Sequence, residues 1–196
     1  DYLDEAFMAA AGPFIERAKQ SESFNLRVAA LNCARHVFAD YTDDLYYKDL
    51  LKVMNLPEGR EAFFEREGNL FLVDLKMGTH WVVKVANLEL MLRYIDGQSD
   101  AGSVMHLGTH LTNLLKVSES IFVRRAAGNS LLKIASNMTY AQRNELTVEL
   151  FNGLEIGDPQ ISKYVPEFLG KMILKLPPRE FDEFVKTIEG QLLTVN

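Results

Sequence analysis

Val123-Arg-Arg-Ala-Ala-Gly-Asn-Ser-Leu-Leu-Lys-Ile134 is the stretch that decides how this chain folds. Its apolar and small residues recur at spacings of three and four. Val123, Ala126, Ala127, Ser130, Leu131 and Ile134 therefore share one stripe of a helix. The same plan returns 38 residues later in Ile161-Ser-Lys-Tyr-Val-Pro-Glu-Phe-Leu-Gly-Lys-Met172, where Val123 meets Ile161, Leu131 meets Leu169 and Ile134 meets Met172. It is present 40 residues earlier in Val83-Lys-Val-Ala-Asn-Leu-Glu-Leu-Met-Leu-Arg-Tyr94, where Ala86 meets Ala126 and Met91 meets Leu131. A fourth copy, Leu26-Arg-Val-Ala-Ala-Leu-Asn-Cys-Ala-Arg-His-Val37, lies 57 residues upstream of that one, which implies an insertion within 41–79.

The helices between these copies repeat as well. Leu107, Leu111 and Leu115 match Leu146, Leu150 and Leu154 at a spacing of 39, and Leu146 and Leu150 match Phe184 and Ile188 at 38. A period near 40 with two helices per unit is the signature of an α-solenoid, in which stacked pairs bury stripes that no pair can bury alone.

Outward from these copies, helical periodicity covers most of the chain. The predicted helices are 2–19, 23–39, 43–55, 59–67, 80–96, 101–117, 120–136, 140–155, 159–175 and 178–193. Residues 68–79 read either as a helix extension or as a buried irregular turn. Thr139-Tyr-Ala-Gln142 is a capping box, and Asp158-Pro159 places an N-cap acid before a first-turn proline. Gly97 and Gly157 read as helix stops.

Val123-Arg124-Arg125-Ala126-Ala127, followed by Leu131 and Ile134, resembles the second helix of HEAT and armadillo repeats. Leu26-Arg27-Val28-Ala29-Ala30 fits the same pattern. Arg27, Lys84 and Arg124 match the family's basic position and Asp158 its acid, whereas Ser120 and Ser162 depart from it. The resemblance covers roughly residues 23–40 and 80–193. It implies an all-α, right-handed αα-superhelix of about four to five helix pairs. The expectation is a single domain over 1–196, with an irregular or inserted section at 41–79.

Composition narrows the function. Net charge is −6, distributed as −5 over residues 1–98 and −1 over 99–196. That balance argues against a nucleic-acid binder, which neutralises phosphates with a basic face. Cys33 is the single cysteine, so no internal disulfide forms and a reducing, cytoplasmic setting is expected. The start, Asp1-Tyr-Leu-Asp4, carries neither an initiating Met nor a secretory layout, and the chain reads as part of a longer protein. No run of about 20 apolar residues suggests a membrane span.

No phosphate loop, dinucleotide fingerprint, nucleophile elbow or His-Glu-x-x-His is present, so no catalytic residue and no cofactor is predicted. His106 and His110 share a helix face, but a metal needs further ligands, and a surface or packing pair is the simpler reading. Cys33 reads as a small buried thiol, Trp81 as a packing residue, and Glu58, Glu61, Glu65 and Glu67 as a solvated helix face. Asp40 to Tyr47 reads as a turn and helix start, with a tyrosine-rich binding edge as the alternative.

The register also points to a surface. Arg125, Asn129 and Leu132 turn away from the buried stripe, with Val85, Glu89 and Leu92 equivalent before them and Lys163, Glu167 and Gly170 after them. Second helices line the concave face of HEAT-like solenoids, so the resemblance places these residues in a groove. Arg93, Lys133 and Lys171 form a basic row at its margin. The expected partner-binding residues are Val85, Glu89, Leu92, Arg125, Asn129, Leu132 and Lys163. The expected function is recognition or scaffolding of a peptide, a protein or another domain of the same parent chain. Two alternatives come from other classes: a nucleic-acid binder similar to HEAT-like DNA glycosylases, and a helical metal-dependent enzyme built on His106 and His110.

Overall fold

The computed structural model describes residues 5–59, 80–94, 101–155 and 163–194. Every regular element among them is helical: α1 (Glu5–Lys19), α2 (Phe24–Val37), α3 (Asp43–Met54), α4 (Trp81–Tyr94), α5 (Ala101–Val117), α6 (Ile121–Ile134), α7 (Tyr140–Asn152), α8 (Val165–Ile173) and α9 (Pro178–Thr194). Short 3₁₀ turns follow α6 and α7. The expected helix at 59–67, the ambiguous segment 68–79, the stops Gly97 and Gly157, and Asp158-Pro159 lie outside the described residues. The protein is all-α. Packing divides the chain into two compact units, Asp1–Leu90 and Met91–Asn196, with the boundary inside α4.

In the first unit α1 packs on α2 and α2 on α3. The Ser23 and Thr42 hydroxyls accept the Leu26 and Leu45 amides, satisfying donors that α2 and α3 would otherwise leave open. α2 buries Val28, Ala30, Leu31 and Ala34. Cys33, expected on that stripe, is exposed. It lies more than a third of a turn from the stripe's middle, because Val28 and Leu31 pull the buried face toward themselves. α3 is the helix predicted over 43–55, within the section read as irregular or inserted, and it buries Tyr46, Leu50 and Leu51. It stops at Asn55, whose left-handed backbone (φ 53°) lets the Leu56 amide return to the Leu51 carbonyl. Pro13 sits inside α1.

In the second unit α5 packs on α6 and α7, while α8 packs on α6 and α7. The predicted stripe of α6 is confirmed at Val123, Ala127, Ser130, Leu131 and Ile134, with Ala126 half-buried. The buried Ser130 hydroxyl donates to the Ala126 carbonyl at 2.7 Å. Two glycines set the closest approaches. A Cβ on Gly108 would meet the Leu146 side chain at 2.5 Å, and one on Gly128 would meet the Phe168 ring at 2.5 to 2.6 Å. The capping box at Thr139 and Gln142 forms in both directions. Leu107, Leu111, Leu115, Leu146 and Leu150 are buried as their repeat spacing implies. Leu154 is not, because α7 ends at Asn152 and the 3₁₀ turn breaks the register.

One repeat escaped the sequence reading. Ser21-Glu-Ser-Phe-Asn-Leu-Arg27 and Ser118-Glu-Ser-Ile-Phe-Val-Arg124 open α2 and α6 with the same bonds. The Ser23 amide donates to Ser21 Oγ and the Ser120 amide to Ser118 Oγ. The Arg27 guanidinium donates to the Ser21 carbonyl, and Arg124 Nε to the Ser118 carbonyl. Arg27 and Arg124 thus tie each helix to the turn before it.

Candidate functional site

Gly128 lets α6 and α8 approach closely, and the outward sides of these helices form one surface. Arg125 and Asn129 of α6 are exposed, and Leu132 is half-buried. Lys163 is exposed beside α8, and its ammonium lies 5.0 Å from the Tyr164 ring centre. The Arg125 guanidinium lies 5.5 Å from the same ring, so two of the expected contact residues meet on one tyrosine. Glu167 bonds Lys171 at 2.6 Å. That bond, with the nearby positive charge of Lys171 and Arg125, holds the Glu167 carboxyl below its ordinary range despite some desolvation.

At the C-terminal ends of α6 and α8, an open groove of about 660 Å³ is lined by Leu132, Lys133, Ser136, Lys171, Leu174 and Lys175. Leu174 is 74% exposed and lines the groove beside the half-buried Leu132. The turn carrying it is pinned from α7, where the Arg143 guanidinium donates to the Lys175 carbonyl at 2.9 Å. Lys133 and Lys171 occupy last helical turns, where cations also complement the helix dipole. Among the described residues, no carboxylate pairs with Lys133 or Lys175.

The structure brings Arg125 and Lys163 together at Tyr164, and Leu132 together with Lys171. Leu92 is half-buried at the start of the second unit. Val85 and Glu89 belong to the first unit, where Val85 is half-buried. The Glu89 carboxylate is held by Arg35 at 3.0 Å and accepts the Tyr46 hydroxyl at 3.1 Å, while Arg35 stacks 4.4 Å from the Tyr46 ring. Burial opposes the charge on Arg35, but Glu89 and the neighbouring tyrosines and Asp43 outweigh it and raise its pKa. Burial beside Glu89 drives the Tyr46 hydroxyl well above its ordinary value. The tyrosines of 41–47 are thus packing groups, with Tyr41 donating to Asp49 at 2.8 Å.

Leu174, Lys175, Ser136 and Tyr164 were missed. The repeat register pairs Leu132 with Gly170; Leu174 follows one turn later on the same outward side of α8, its amide still donating to the Gly170 carbonyl at 3.2 Å. The signal present in the sequence was the Lys133–Lys171 row. Trp81, expected to pack, is 39% exposed beside His80. His80 instead serves α4, its Nδ1 accepting the Val82 amide.

The His106 and His110 rings lie 4.8 Å apart, edge to face. No cluster of three metal-ligating side chains exists among the described residues. No helix among those residues is long and apolar enough to cross a membrane. No family model, no curated protein and no solved structure matches the chain.

Proposed function

We propose that this chain is a HEAT-like helical-repeat module that recognises or scaffolds a protein or peptide segment on the α6–α8 face. The alternation of contacts supports a solenoid: α5 and α7 touch, α6 and α8 touch, and each pair is bridged within itself. The observation that carries the function is the groove in which Leu132 and the largely exposed Leu174 sit between three lysines. An apolar floor within a charged rim matches the core-and-rim anatomy of protein recognition surfaces. The reading places the chain in the cytoplasm, as its single, exposed and unpaired cysteine suits a reducing compartment.

The test is a selection of randomised 12-residue peptides on the immobilised chain, followed by affinity measurement on Leu132→Asp and Leu174→Asp. Leu174→Asp changes an exposed side chain and should leave the urea midpoint nearly unchanged. Selected peptides are expected to weaken at least about tenfold on both variants, as for loss of a central apolar anchor. Peptides that bind wild type and both folded variants equally would remove the groove as the recognition surface.

A further inference from the structure

The proposed groove has a charge that its parent chain does not. Resting on the recognition reading above, we infer that its occupant is an acidic segment carrying at least one bulky aliphatic or aromatic side chain. Three lysines line the groove, against one carboxylate, Glu167, that adjoins it through Lys171. The chain as a whole is net −6. A local basic patch on an acidic protein focuses attraction onto one place and repels acidic partners elsewhere.

The apolar side of the groove selects further. Leu132 and Leu174 offer nothing to a purely polar anion, and a bare polyanion would leave Leu174 in water. A leucine or phenylalanine laid between them removes that surface from water, while flanking carboxylates reach Lys133 and Lys175. These two ammonium groups have no carboxylate partner among the described residues, so engaging them breaks no ion pair within that set. Lys171 is shared with Glu167, so a partner carboxylate competes for it. Nucleic acid is the less favoured occupant. Its affinity comes from many phosphate contacts along a basic track, which a chain of net −6 with an apolar groove floor does not supply.

The same peptide selection decides this with different readouts. Peptides whose binding depends on Leu132 should be enriched in Asp and Glu together with Leu, Ile, Phe or Trp. Replacing their acids by the matching amides should weaken binding about tenfold, as should the triple change Lys133→Gln, Lys171→Gln and Lys175→Gln. Raising salt from about 50 to 300 mM should weaken wild-type binding and leave the triple variant nearly unaffected. A fluorescent 20-base-pair duplex should not displace the peptides.

Neutral or basic peptides that still depend on Leu132 would overturn the acidic occupant and leave the groove standing. Displacement by the duplex, abolished in the triple variant, would overturn it in favour of nucleic acid. If no selected peptide depends on Leu132 or Leu174, both the occupant and the groove fall. The triple variant is read only after its circular dichroism and urea midpoint match wild type. If it fails to fold, each lysine is changed singly under the same criteria.

Discussion

Gly128→Ala tests whether α6 and α8 are held as closely as the groove requires. The added methyl would meet three atoms of the Phe168 ring at 2.5 to 2.6 Å. Carbon contacts are comfortable at about 3.5–4.0 Å, so the ring or the helix must shift by about 1 Å. Phe168 is only 2% exposed and cannot swing into solvent. Overpacking of this kind costs about 1–3 kcal/mol, whereas Ala is better than Gly in a helix by about 1 kcal/mol. The net expectation is a loss of about 1–2 kcal/mol.

Gly170→Ala is the internal control. It makes the same chemical change on α8 with nothing within 4 Å of the new methyl, so it should gain up to about 1 kcal/mol. The assay is urea unfolding followed by circular dichroism, with Phe168→Leu completing a double-mutant cycle. The cycle should show favourable coupling of about 1–2 kcal/mol, because the smaller side chain makes room for the methyl. Gly128→Ala as stable as Gly170→Ala, or a cycle that is additive, would refute the close approach of the two helices.

Three further outcomes follow from the same physical chemistry. Arg124→Met should cost about 2–3 kcal/mol, since the Ser118 carbonyl loses a charged donor in a buried setting; Arg27→Met, at a more open site, should cost about 1 kcal/mol. Urea midpoints of both variants check this, and equal losses would contradict the difference in burial. Glu89→Gln leaves the Arg35 guanidinium without its counter-ion and should cost about 1–3 kcal/mol, whereas Asp49→Asn, at a more exposed pair, should cost under about 1 kcal/mol. Folding should also weaken above pH 10. Tyr41, Tyr46 and Tyr47 all have raised hydroxyl pKa values when folded, mainly through burial. Their contribution is complete below the unfolded value of 10.0 and is lost as pH rises above it, by up to about 1.4 kcal/mol per pH unit for the buried Tyr46 and by less for the more open, solvent-screened Tyr41 and Tyr47. Tyr46→Phe should flatten that slope in urea titrations between pH 9 and 11.5, and an unchanged slope would refute the assignment.

Periodicity along the chain was enough to determine most of the described helices and most of their buried faces. Val123, Ala127, Leu131 and Ile134 can hide from water together only on one helical stripe, and the stripe's phase is written in their spacing. Caps at Ser23, Thr42 and Thr139 are local in the same sense, because a hydroxyl and the amide it accepts lie within three residues. Charge could be read too, as a sum and as one aligned row. The Lys133–Lys171 row was legible as well, but Lys175, in the turn after α8, joins those two lysines around Leu132 and Leu174 only after packing.

The tertiary structure decided what depends on where a helix stops and on what lies across from it. Leu154 leaves the core because α7 ends at Asn152. Cys33 is exposed because the side of α2 that packs is centred elsewhere. Glu89 carries the same sequence signal as Asn129, yet Arg35 and Tyr46 claim its carboxylate from helices more than forty residues away. Spacing within a helix reports which residues share a face; only packing decides which neighbour, if any, covers it.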